Sequence, residues 1–192
     1  TYIHKGSVMN NIKLSLLACI MLIISGCVTI PPLDFTVQDV GMVSNRKDVE
    51  LKSLTVGFAP QEQQRVIQAD HGVPPIWKEA LLDALARSLI FKDDAPKKIN
   101  LSVRIVEADA ADWGVDMKTT VAAIYEIVDR SNGDLLFAQE ISSEATVSFE
   151  YASLGAARSR ESANRAVRNN IAEFIKQLEQ ADLSKPMFPT DQ

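Results

Sequence analysis

The sequence predicts an α+β domain: a two-layer sandwich in which an antiparallel sheet of four to five strands carries two helices on one face, in the order (β)βαβββα. Three observations predict it. Apolar residues alternate with polar ones in several short runs, the pattern of half-buried strands. Two longer segments place apolar residues at helical spacing. Between the third and fourth β-rich runs stands Ser131-Asn132-Gly133-Asp134, a hairpin turn, because Asn-Gly accepts positive φ at low cost. Strands joined by short turns form an antiparallel meander, and two amphipathic helices cover its apolar face.

Taken in order, Phe35, Val37 and Val40 alternate partially and mark an optional first strand over residues 35–40. A polar turn at residues 45–48 leads to a strand over 51–58, with Leu54, Val56 and Phe58 on one face. Pro74-Pro75 opens the first helix, since proline suits a first turn. Trp77, Leu81, Leu82, Leu85, Leu89 and Ile90 form its apolar face; Lys78, Glu79, Asp83 and Arg87 fall mainly opposite. After a charged loop at 93–98, Ile99, Leu101, Val103 and Ile105 alternate with Asn100, Ser102 and Arg104 as a half-buried strand. Residues 108–114 bend the chain. Residues 119–128 are apolar at most positions, as in a central strand. Leu135, Phe137, Ile141, Ala145, Val147 and Phe149 continue one long strand. The final helix spans 158–180, with a stripe of Ala163, Val167, Ile171, Phe174, Ile175 and Leu178. Residues 184–192, with two prolines, read as a loose tail.

The N-terminus carries targeting information. Residues 9–13 are polar with one lysine, and residues 14–24 are apolar except for Ser15. Such a run is shorter than the roughly 20 apolar residues of a membrane span. A basic start, an apolar core and small residues at the end are the parts of a secretory signal. Ile24-Ser25-Gly26-Cys27 resembles the lipobox of bacterial lipoproteins. The resemblance implies that the Cys27 thiol receives diacylglycerol, that cleavage follows before Cys27, and that the new amino group is acylated. Met9 is then the expected start, and residues 1–26 are the leader with an upstream extension. Residues 27–33 are a lipidated spacer with Pro31-Pro32, and 34–183 the folded domain. An aspartate just after the cysteine favours inner-membrane retention in enteric bacteria. Val28 stands there, so the resemblance implies the periplasmic face of the outer membrane.

This reading excludes several chemistries. Of the chain's two cysteines, Cys19 leaves with the leader and Cys27 is consumed by lipid. Disulfides, thiolate metal sites and cysteine catalysis are therefore not expected. The chain has a net charge of −5, and removing the leader takes away Lys5 and Lys13. The acidic balance argues against nucleic acid as a partner.

Four stretches are similar to a poorly characterised group of small envelope lipoproteins: Leu82-Asp83-Ala84-Leu85-Ala86-Arg87-Ser88-Leu89, Trp113-Gly114-Val115-Asp116-Met117, the run from Ala156 through Arg158, Arg160 and Glu161 to Ala163, and Ala166-Val167-Arg168-Asn169-Asn170-Ile171. The element order resembles that of auxiliary lipoproteins of ABC-type transport systems. Some relatives carry the label UDP-N-acetylglucosamine acyltransferase. Enzymes of that type are built from hexapeptide repeats with a catalytic histidine. This chain has no such repeat, and its mature part has one histidine, His71.

His71 reads as a solvated loop residue. Glu107, Asp109, Asp112 and Asp116 surround the bend but lack the glycine-centred spacing of a calcium loop, and read as an acidic rim. No nucleophile elbow or phosphate loop is present, so no catalytic residue, metal site or cofactor is expected. Arg158, Arg160, Arg165 and Arg168 gather near the start of the final helix, where positive charge opposes the helix dipole. Two readings stand: they pair with Glu161 or the acidic bend, or they bind an anion such as phospholipid, lipopolysaccharide or a partner carboxylate. The expectation is a non-enzymatic accessory in envelope assembly or transport, held to the membrane by its N-terminal lipid and working with an envelope protein partner. The alternative is a lipid- or glycan-binding module with a cavity between helices and sheet, and a third is an acyltransferase or hydrolase.

Overall fold

A computed structural model describes residues 29–111 and 113–188. The lipobox residues Ile24, Ser25, Gly26 and Cys27, and also Asp112, lie outside them. The elements are β1 (Val49–Phe58), α1 (Val73–Ser88), β2 (Lys97–Ala110), β3 (Met117–Asp129), β4 (Leu135–Val147) and α2 (Gly155–Gln180). The sheet order is β1-β2-β3-β4. The α+β class and the element order stand as expected.

The antiparallel expectation is corrected at one pair. β2, β3 and β4 form the antiparallel meander, but β1 runs parallel to β2, so the sheet is mixed. The cause is the connection: α1 lies between the two strands, and a helical crossover returns the chain in the same direction. The optional strand at 35–40 does not form; this segment joins no sheet. Phe35 and Val37 are nonetheless buried. Phe35 meets Trp77 of α1 edge-on at 6.2 Å, and Arg87 of α1 donates to Val37 O and Gln38 O.

Ile99, Leu101, Val103 and Ile105 of β2 all face the core, as their alternation requires. On β3, Ile127, Tyr125 and Ala123 stand opposite Leu101, Val103 and Ile105, and Val121 stands opposite Ala108; all are buried. Tyr125 stacks on Phe174 of α2 at 4.1 Å, and Phe137 of β4 meets the same ring edge-on at 5.9 Å. Aromatic pairs at such separations add about 1 kcal/mol beyond area burial. The hairpin forms at the expected turn: Gly133 takes φ 81°, and the Asp129 and Asp134 backbones close it.

The buried face of α1 is narrower than the sequence suggests, and that of α2 is wider. Leu82 and Leu89 are exposed; Leu89 sits past the end of α1 in the left-handed region, at φ 53°. On α2, Ser162, Asn164 and Asn170 join the buried face. Tyr125 Oη donates to Asn170 Oδ1 at 2.8 Å, and Asn170 Nδ2 donates to Ile141 O at 2.8 Å, tying α2 to β3 and β4. β4 ends at Val147 rather than Phe149, which enters a short 3-10 turn, Phe149–Tyr151.

Candidate functional site

The chain docks on the domain close to where the lipobox would release it. Asn164 of α2 is buried and holds the entry segment from two sides. Its Nδ2 donates to Pro32 O at 3.1 Å, and its Oδ1 accepts from Asp34 N at 3.0 Å. Arg168 adds an ion pair to Asp34 at 3.1 Å. Hydrogen bonds from Thr36, and then the Arg168 charge, hold the Asp34 carboxyl below its ordinary range. Leu33 packs against the core. The end of the expected spacer, Pro32 and Leu33, is therefore part of the folded body.

Beside this clamp lies a cleft of about 310 Å³ between the entry segment, the two helices and the ends of β2 and β3. Ile30, Leu33, Trp77, Val121 and Val167 supply apolar lining, with Arg160 as its cationic member and Asp70 as its acidic one. The indole N–H of Trp77, buried, faces the Tyr125 hydroxyl without reaching hydrogen-bond geometry. Burial raises the Tyr125 pKa well above that of a free phenol, so it serves as a neutral donor.

The four arginines have separate surroundings. Arg158 is only 4% exposed. Its guanidinium donates to Ala152 O at 2.6 Å, Ser153 O at 3.0 Å and Gly114 O at 3.1 Å, and lies 5.1 Å from the centre of the Phe149 ring. Arg165 pairs with Glu161 at 2.8 Å and lies over Tyr151 at 5.5 Å. Arg168 holds Asp34, as above. Among the described residues, Arg160 makes no ion pair and lines the cleft.

Arg158 thus laces two stretches together: residues 113–116, between β2 and β3, and residues 148–154, between β4 and α2. Phe149 N adds a bond to Asp116 Oδ1 at 3.2 Å. Around this lacing, large apolar side chains face outward: Trp113 is 87% exposed and Val115 73%, and Phe149, Tyr151 and Leu154 are exposed too. The sequence reading missed this surface. The available signal was Trp113 and Tyr151, aromatic residues outside any alternating run, flanking the strand ends.

The remaining candidates disperse. His71 is exposed and meets the Phe58 ring edge-on at 6.3 Å. Glu107 pairs with Arg65 at 2.6 Å, and Asp116 is occupied by Phe149 N. Among the described residues no group of three or more His, Cys, Asp or Glu is placed to hold a metal ion, and no helix is long and apolar enough to cross a membrane.

No family model matches the chain, and no curated protein matches it. Solved structures of similar shape include a protein of the family DUF330 from Xanthomonas campestris, at 14% identity and TM-score 0.48, covering 76% of this chain and 90% of that one. A minor lipoprotein from Acinetobacter baumannii is similar at 11% identity and TM-score 0.40, covering 72% and 93%. The PelC dodecamer from Paraburkholderia phytofirmans is similar at 14% identity and TM-score 0.44, covering 79% and 95%. None of these TM-scores reaches 0.5, so function is read from the chain's own residues.

Proposed function

We propose that the chain is a membrane-anchored periplasmic lipoprotein acting as a non-enzymatic accessory in envelope assembly or transport, on the periplasmic face of the outer membrane. The observation that carries it is the lipobox Ile24-Ser25-Gly26-Cys27, directly after an apolar run of signal-peptide length. The fold is consistent with that role. The entry segment is clamped from Pro32 onward, so a lipid on Cys27 would fix one end of the domain close to the bilayer. The test is metabolic labelling with a fatty-acid analogue. Wild type should incorporate label and appear as the processed form. Cys27→Ser should take up no label and keep its leader; equal labelling of the two would overturn the reading.

The cleft supports a second reading, a lipid-binding module. Its volume is at the lower end for ligand pockets, roughly 300–1,000 Å³, and apolar walls with one arginine suit a single acyl chain bearing an anionic head. Retention of a fluorescent fatty acid by wild type but not by Val167→Trp, which fills the cleft, would favour this reading. Equal binding would remove it.

A further inference from the structure

We propose that the end of the domain formed by residues 113–116 and 148–154 is a membrane-docking tip, which inserts its aromatic side chains into the interfacial layer of the bilayer that holds the lipid anchor. This rests on the lipoprotein reading above and adds the orientation of the domain. Among the described residues twelve large apolar side chains are exposed, and six lie at this end: Ile30, Trp113, Val115, Phe149, Tyr151 and Leu154. Most of the others are spread over the helices and the opposite end; scattered singly, such residues are ordinary. A gathered set is not, and it marks a contact surface.

The occupant follows from where the chain enters. Ile30 lines the cleft beside Ala156, Ser159 and Arg160 of the first turns of α2, and beside Ala110 at the end of β2. This is the same end of the sheet and helix from which the two loops project. Ile30 is three positions along the chain from Cys27, a reach of at most about 10 Å. A lipid on Cys27 therefore brings this end, and no other, against the bilayer. The side chains presented there suit the headgroup layer: tryptophan and tyrosine are enriched at that depth because each has an apolar body and a polar tip. The charges are mixed. Arg160 and Arg165 are accompanied by Asp116, Glu150 and Glu161, so apolar insertion rather than attraction to anionic lipid drives the contact. Arg158 gives the tip its shape, since one buried guanidinium binds carbonyls of both loops.

The two tryptophans provide the test, because Trp77 is fully buried while Trp113 is 87% exposed. The full chain is purified from membranes, the mass of its N-terminal peptide is measured, and the protein is reconstituted into phosphatidylethanolamine–phosphatidylglycerol vesicles with and without bromine on the acyl chains. Lipid on Cys27, with emission that is blue-shifted and lost on brominated lipid in wild type but retained in Trp113→Phe, supports the proposal. The loss should persist in high salt, because the contact is not electrostatic. It should shrink when Phe149 and Leu154 are both changed to serine. Lipid on Cys27 with Trp113 still quenched by aqueous iodide would overturn the tip and leave the lipoprotein reading intact. Quenching by brominated lipid that disappears in high salt would overturn apolar insertion. Trp113 shielded from iodide but untouched by brominated lipid, in a protein of doubled mass, would assign the patch to a second copy and overturn the proposal. An unmodified Cys27 would overturn the lipoprotein reading and the tip together.

Discussion

Two buried cations sit at opposite ends of α2 and do similar work under opposite electrostatics. At the C-terminal end, Lys47 Nζ donates to Glu179 O at 2.7 Å and Ala181 O at 2.6 Å. Helix carbonyls left without amide partners carry partial negative charge, so the dipole favours a cation there. At the N-terminal end, Arg158 faces the positive end of the dipole, and it is retained because three loop carbonyls surround it. The Lys47 end closes on itself. Glu179 accepts Ser44 N and Asn45 N, and Arg46 caps the end of α1 through Leu89 O and Phe91 O. The Arg158 end uses the same chemistry to present aromatic residues outward. A helix end favourable to cations can be sealed with one lysine, whereas an unfavourable one needs a forked guanidinium and loops shaped around it.

Breaking the arginine end should have the larger effect. Arg158→Ala removes three charge-assisted hydrogen bonds from a buried group and leaves their carbonyls unpaired. Unfolding free energy in urea should fall by about 3 kcal/mol. Arg158→Lys should recover only part of this, because an ammonium cannot span both loops. Full recovery would show that charge alone, not the fork, shapes the tip. At the other end, Lys47→Met keeps the apolar stem and removes two bonds, and should lower stability by about 2 kcal/mol. Burial lowers the Lys47 pKa, with Glu179 and Asp182 opposing that shift, so part of the desolvation penalty is relieved in the variant. A loss equal to that of Arg158→Ala would erase the distinction between the ends.

Acid should act more weakly and on both ends alike. Asp34, near the tip, and Asp129, at the far hairpin, both have carboxyl groups held below their ordinary range by hydrogen bonds from Thr36 and Ser131 respectively. A depressed folded pKa stabilises the fold above the unfolded value of about 3.9, and that contribution is lost as pH falls through the folded value. The melting temperature should therefore fall below about pH 4, and Asp34→Asn should flatten part of that fall. An unchanged profile in Asp34→Asn would remove Asp34 from the acid response.

Where local pattern controls the backbone, the fold was legible. The alternation in β2, the Asn-Gly hairpin and both helices follow from residue spacing and turn chemistry. The parallel pairing of β1 was within reach too, since a strand, a helix and a strand in one sheet imply it. The segment at 35–40 misled for a physical reason: an extended chain buries every second side chain whether or not a strand lies beside it, and Phe35 and Val37 do so against the helices. The candidate site was much less visible. Asn164 and Asn170 look solvated in sequence, because nothing local says that Pro32, Tyr125 and Ile141 will come to meet them. The arginines were legible as a group of charges, but their separate partners depend on loops that only the fold brings together. Trp113 and Phe149 were readable as apolar residues, and their exposure follows from strands that stop short of them.

The clamp at Asn164 also sets a concentration. A domain on a long flexible leash samples a large volume, and a weak surface contact is rarely made. Here the chain is gripped at Pro32, and Pro31-Pro32 stiffens what remains. A short link that spans its two sites holds them at an effective concentration in the millimolar range. If Cys27 carries lipid as proposed, a contact too weak to capture the free protein from solution would be occupied much of the time, and the domain would stand at a defined angle to the membrane.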